Sequence, residues 1–185
     1  MLAIGLLIGA LLGGGCGGGD EPENGGHKKQ EGAVDGTGYS FVPPDGWRDA
    51  SEVFKGSAIK IDSAYAEPDP QDGFANNMNV IRETPSGLDA DQFDDYVTEL
   101  RKQASGQATD AGLSATEETE LDGEPARTWD FESRQPEQPR IRQQQVVVIH
   151  DDALYTVTWS ARRDVFEETA KELQGVLDSW RWSGR

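Results

Sequence analysis

Cysteine, histidine and basic charge are all scarce in this chain. One cysteine, Cys16, stands among 185 residues, so no intrachain disulfide can form and stability must come from packing. There are two histidines, His27 and His150. With so few soft ligands, no His/Cys/Asp spacing makes a zinc site. Lysine and arginine total 17 against 34 aspartates and glutamates, a formal charge of −17. Such a surface repels nucleic acid, and no basic stripe offsets it. No apolar run reaches the roughly 20 residues needed to cross a bilayer. No glycine-rich phosphate loop joins a strand to a helix, and no Gly-x-Ser-x-Gly elbow occurs. No cofactor is implied and no enzyme is expected; a hydrolase assembled from dispersed acids is the least favoured alternative.

What is present begins with residues 2–12, an apolar run that ends in Gly13-Gly14-Gly15-Cys16. Its length fits the hydrophobic region of an export signal. The pattern resembles the lipobox of bacterial lipoproteins, with small residues before a lipid-acceptor cysteine. Two departures stand out: Leu12 lies four residues before Cys16 instead of three, and no lysine or arginine precedes the run. Residues 1–15 are therefore read as a lipoprotein signal peptide and Cys16 as the lipid attachment site. Two acyl chains on its diacylglycerol would anchor the protein stably to the cell membrane, on the extracytoplasmic face. Residues 16–38 then read as the lipidated cysteine and a flexible tether. They are rich in glycine and charge and too poor in apolar surface to fold. As a coil the tether spans about 25 Å root-mean-square. His27-Lys28-Lys29 lies here and reads as solvated linker.

Residues 39–185 read as one globular domain, long enough for its own core. Tyr39 and Phe41 alternate with polar neighbours and start a strand; Pro43-Pro44-Asp45-Gly46 turns the chain, and Trp47 should fold back. A second strand is expected over 58–66, with Ile59, Ile61 and Tyr65 on one face. Residues 74–83 form a third, whose Asn76, Asn77 and Asn79 are placed to cap turns or to bond a partner. A helix over 89–105 carries the stripe Phe93, Tyr96, Val97, Leu100 and Ala104, with Asp89 at its cap and Gly106 as its stop. A hairpin turns at Asp122-Gly123. The run Val146-Val147-Val148-Ile149 is apolar on both faces, so its strand is central and covered on both sides. A second helix over 164–180 has Asp164 and Glu167 at capping-box spacing. The expected class is α+β: an antiparallel sheet of about six to seven strands with two main helices packed on it.

Few residues invite chemistry. The loop acids Glu67, Asp69 and Asp72 are weak candidates for a divalent cation, since hard cations take oxygen ligands; two prolines and the wrong spacing count against them. His150 beside Asp151 and Asp152 is a candidate proton-transfer group, or a hairpin end with acidic neighbours.

Three short motifs suggest kinship. Tyr39-Ser40-Phe41 runs into Pro44-Asp45-Gly46-Trp47; Asn77-Met78-Asn79-Val80 precedes the first helix; Asp178-Ser179-Trp180-Arg181-Trp182 closes the domain. In these, residues 39–182 resemble the PsbP/Mog1-like fold and, within it, the actinobacterial LpqN-type lipoproteins. That resemblance implies an α/β/α sandwich with binding or assembly roles and no catalysis, and it carries over no functional residue. The function expected is a membrane-anchored, non-catalytic, monomeric module that binds an envelope protein. The alternative is a lipoprotein that binds a small ligand or a divalent cation.

Overall fold

The computed structural model describes residues 30–55, 60–86, 88–133 and 139–184. Residues 1–29, which include the expected signal peptide, Cys16, His27 and most of the stretch read as tether, lie outside the described residues. Among the described residues eleven strands and two α-helices follow one another, with short 3-10 turns at Ser51–Phe54 and Ala90–Gln92. The strands are β1 (Val34–Gly36), β2 (Tyr39–Phe41), β3 (Arg48–Asp49), β4 (Ile61–Ala66), β5 (Asn77–Glu83), β6 (Ala108–Leu113), β7 (Glu117–Leu121), β8 (Glu124–Ser133), β9 (Ile141–His150), β10 (Ala153–Arg162) and β11 (Arg181–Trp182). The helices are α1 (Phe93–Ser105) and α2 (Phe166–Ser179).

The main sheet is antiparallel and eight-stranded, in the order β3-β4-β5-β10-β9-β8-β6, with β7 on the same edge of β8 as β6. A small sheet, β1-β2-β11, ties the start of the domain to its end. The α+β class is as expected; the main sheet has eight strands, and the small sheet comes in addition.

Strand alternation sorts the sheet into two faces. One carries Met78, Val80, Val146, Val148, Tyr155, Val157 and Trp159, packed beneath Phe166, Leu173 and Val176 of α2. The other carries Trp129, Phe131, Val147 and Leu154, packed beneath Val97, Leu100 and Ala104 of α1. The strands at the middle of the sheet are thus covered on both faces, as the apolar run in β9 requires. Trp47 stacks on Trp159 with ring centroids 4.7 Å apart. Tyr39 stacks on Trp180 at 4.3 Å and 8°, which locks β2 to the chain leaving α2.

Several local expectations change. β1 lies inside the stretch read as tether, because Val34 and Gly36 find partners in β2 that composition cannot reveal. A bulge between Ile61 and Ser63 shifts the register of β4. Ile61 therefore packs with Ala64 and Ala66, while Tyr65 joins the opposite core. The capping box at α2 does not form: Asp164 pairs with Arg162 at 3.4 Å, and Glu167 pairs with Arg142. Asp89 caps the 3-10 turn ahead of α1, accepting from Asp91 N at 3.0 Å. The hairpin turns occur where expected. Asp122 and Gly123 have φ of 45° and 80°, Asp151 and Asp152 of 45° and 58°, the left-handed pair that a two-residue hairpin needs.

Candidate functional site

Polar side chains gather on the α1 face of the sheet. Alternation that sends Met78 and Val80 toward α2 sends Asn77 and Asn79 the other way. The register then sets two rungs across adjacent strands. Asn77, Ser160 and Gln143 are opposite one another and meet Phe131; Asn79, Thr158 and Gln145 do the same and meet Trp129. All six polar residues are buried, none more than 1% exposed. Ser160 Oγ accepts from Gln143 Nε2 at 2.9 Å, and Thr158 Oγ1 from Gln145 Nε2 at 3.4 Å, the second bond being weak. Asn77 Nδ2 donates to Ala75 O at 2.9 Å.

These bonds leave much unsatisfied. Asn77 Oδ1, both polar atoms of Asn79, Gln143 Oε1, Gln145 Oε1, Trp129 Nε1 and Ser133 Oγ are buried without a hydrogen-bond partner. Each such atom costs about 1–3 kcal/mol where it stays unpaired, so clustering of this kind calls for a reason.

An open groove of about 530 Å³ runs beside this face, between α1 and β6. Thr98, Arg101, Lys102, Ser105, Thr109 and Leu113 line it. Arg101 is fixed in place. Its Nη2 donates to Ser114 O at 2.8 Å, and its guanidinium lies over the Trp129 ring, 5.6 Å from the centroid. Its Nη1 is buried and unpartnered. Arg101 thus belongs both to the groove and to the polar face.

The loop acids are not brought together. Glu67 accepts from Asn76 Nδ2 at 3.0 Å, Asp72 pairs with Arg162 at 3.0 Å, and Asp69 is exposed. Among the described residues, no group of three or more His, Cys, Asp or Glu is placed to hold a metal ion. Asn76 ties the chain ahead of β5 to the end of β10: its Oδ1 accepts from Arg162 N at 3.0 Å. His150 is 7% exposed and stacked on Trp182 at 4.2 Å, with Nδ1 3.1 Å from Glu124 and Nε2 3.4 Å from Asp151. Asp152, the other neighbour, is exposed in the turn.

Ionisation is perturbed at a few places, none of them on the polar face. Burial, with the Asp62 charge beside it, holds the Tyr39 phenol well above its ordinary range, although the bond to Ser63 pulls the other way. Burial raises Tyr65, and Asp49 adds to it. Burial works to lower Arg142, but its bonds to Asp130 and Glu167 win and hold it higher. Glu172 on α2 is raised by partial burial and then by the charge of Glu67.

Sequence reasoning named Asn77 and Asn79 as turn caps or partner contacts and missed Gln143 and Gln145, which lie inward beside them. One signal was available: a β9 covered on both faces must bury Gln143 and Gln145 as well.

The fold has known relatives. The sequence matches the PsbP family over residues 33–182. No curated protein matches the chain. The solution structure of cyanobacterial PsbP (CyanoP) from Synechocystis sp. PCC 6803 superposes with a TM-score of 0.55 at 18% identity, over 78% of this chain and 86% of that one. LpqN, involved in cell envelope biogenesis of Mycobacterium tuberculosis, superposes with a TM-score of 0.51 at 13% identity, over 77% and 81%.

Proposed function

The chain belongs to the PsbP family, and on that premise we propose that it is a non-catalytic binding or assembly module of the cell envelope. In this reading Cys16 carries the lipid, the tether holds the domain off the outer face of the cytoplasmic membrane, and the sheet supports recognition. The observation that carries the binding role is the family match over residues 33–182. The leader that ends at Cys16 supports the address. The shared fold with LpqN, a protein involved in cell envelope biogenesis, supports an envelope setting.

Proximity labelling from the intact protein in its own envelope tests this, with Cys16→Ala alongside. Wild type is expected to label a recurrent set of extracytoplasmic envelope proteins. The variant is expected to lose the membrane fraction and much of that set. Equal labelling of cytosolic proteins by both would refute the proposal. A second reading, recognition of a small ligand, is favoured by the groove that opens beside the polar face.

A further inference from the structure

Half-buried arginines in this fold are mostly matched to acids. Among the described residues they are Arg82, Arg101, Arg127, Arg142 and Arg162. Arg127 pairs with Asp94 and Glu118, Arg142 with Asp130 and Glu167, and Arg162 with Asp72 and Asp164. Arg82 donates its Nε to the Tyr155 hydroxyl at 3.1 Å. Arg101 has the Ser114 carbonyl and the face of Trp129, and among the described residues no carboxylate pairs with it. Taking a charge out of water is costly unless an opposite charge offsets it. In a chain with 34 acidic residues against 17 basic ones, a half-buried cation left without an acid needs an explanation.

Arg101 stands in the wall of the groove between α1 and β6, and there is room beside it. The groove holds about 530 Å³, within the range of small-molecule sites. Lys102 supplies a second cation from the same helix. Among the described side chains, no carboxylate lines the groove. Lys102 lies 3.7 Å from Glu99, but both groups are exposed, so that contact is weak and readily exchanged. The hydroxyls of Thr98 and Ser105 already donate to Asp94 O and Lys102 O. Charge is thus what the α1 wall has to offer. Ala108 and Leu113 add apolar surface from β6. Two cations beside apolar surface suit an oxyanion that carries a short apolar body. The rest of the surface repels a large polyanion or an anionic membrane, so the ligand is small.

We propose that the groove between α1 and β6 binds a small organic oxyanion, a carboxylate or phosphate on a short apolar body, with Arg101 and Lys102 as its counter-charges. This rests on the second reading above, recognition of a small ligand, and names the site and the ligand class. Arg101 is held ready for the role. Its bond to Ser114 O and its seat on Trp129 fix the side chain before a ligand arrives, so little conformational freedom is lost on binding.

The test uses the full-length chain in zwitterionic detergent at constant ionic strength. Benzoate, phenyl phosphate and inorganic phosphate are titrated singly, with benzyl alcohol as a neutral probe, while the tryptophan indole N–H resonances are followed. Benzoate or phenyl phosphate is expected to move the Trp129 indole resonance with a saturating dependence, because Arg101 lies on that ring. Inorganic phosphate, which has no apolar body, is expected to bind more weakly. Lys102→Glu, at an exposed position, is expected to weaken binding about tenfold or more, since it reverses a charge beside the ligand. Lys171→Gln, on the exposed side of α2, is expected to leave binding unchanged. Micelles doped with phosphatidylglycerol present the oxyanion on a lipid headgroup, and no shift is expected from them. The proposal is overturned if no soluble anion moves the resonance, or if only the doped micelles do. It is also overturned if Lys102→Glu and Lys171→Gln weaken binding alike, the mark of general charge attraction. A shift with benzyl alcohol and none with the anions would sink this ligand class and keep the small-ligand reading; no shift with any probe would sink both. Lipidation plays no part in these readings, so the envelope reading is judged by labelling.

Discussion

Gly36 has no room for a side chain. A Cβ there would lie 2.1 Å from Tyr39 Cζ. The ring cannot retreat, because it is stacked on Trp180 and its hydroxyl is bonded to Ser63 Oγ at 2.8 Å. Gly36→Ala is therefore expected to lower stability by about 1–3 kcal/mol, read as an earlier urea midpoint with unchanged slope. Glu172 gives a pH-dependent prediction. Its pKa is raised in the fold, by partial burial first and by Glu67 second. Between the ordinary carboxylate pKa and the raised one, the folded state holds more protons than the unfolded state, so this group's contribution to stability falls as pH rises. Glu172→Gln is expected to melt higher than wild type at neutral pH, by roughly a few tenths of a kcal/mol, because solvent screens the charge. The gain should vanish as pH falls below the carboxylate range. An advantage that grows in acid would contradict this cause.

At the scale of elements, the domain is closed by its ends. β2 pairs with β1 on one side and β11 on the other, and Trp180 stacks on Tyr39 and, at 5.7 Å, on Phe41, both of β2. Trp182 donates its indole N–H to Leu121 O at 3.0 Å, and Asp122 Oδ2 accepts from its backbone N at 2.9 Å. The small sheet thereby reaches the β7–β8 hairpin. Trp180→Ala is expected to cost about 3–5 kcal/mol. Native-state hydrogen exchange would show β1, β2 and β11 losing protection together; loss confined to β11 would argue against this closure. How far the elements were legible follows from the same physics. Trp129 and Phe131 alternate with polar neighbours, and Val97, Leu100 and Ala104 recur at helical spacing, patterns that match β8 and α1. β6 carries no such period, and β1 is three residues long. Both exist because a neighbouring strand offers hydrogen bonds, which is tertiary information. The bulge in β4 inverted a face for the same reason. The candidate site was least legible: Asn77 and Asn79 alternate with apolar residues and were read as turn caps or partner contacts, whereas the fold buries both completely.

At the scale of the whole molecule, charge and polarity are divided between surface and interior. The chain carries −17, and no large apolar side chain among the described residues is exposed beyond Val53. A surface like that favours solubility and disfavours contact with anionic head groups. No helix among the described residues is long and apolar enough to cross a membrane. Under the proposed function, membrane attachment rests on Cys16, and every recognition event happens within reach of a short tether. The most direct measurement is the intact mass of the protein extracted from its native membrane. The lipoprotein reading predicts a chain that starts at Cys16 and is heavier by a diacylglycerol on its sulfur. A chain that retains residues 1–15 with an unmodified Cys16 would contradict it.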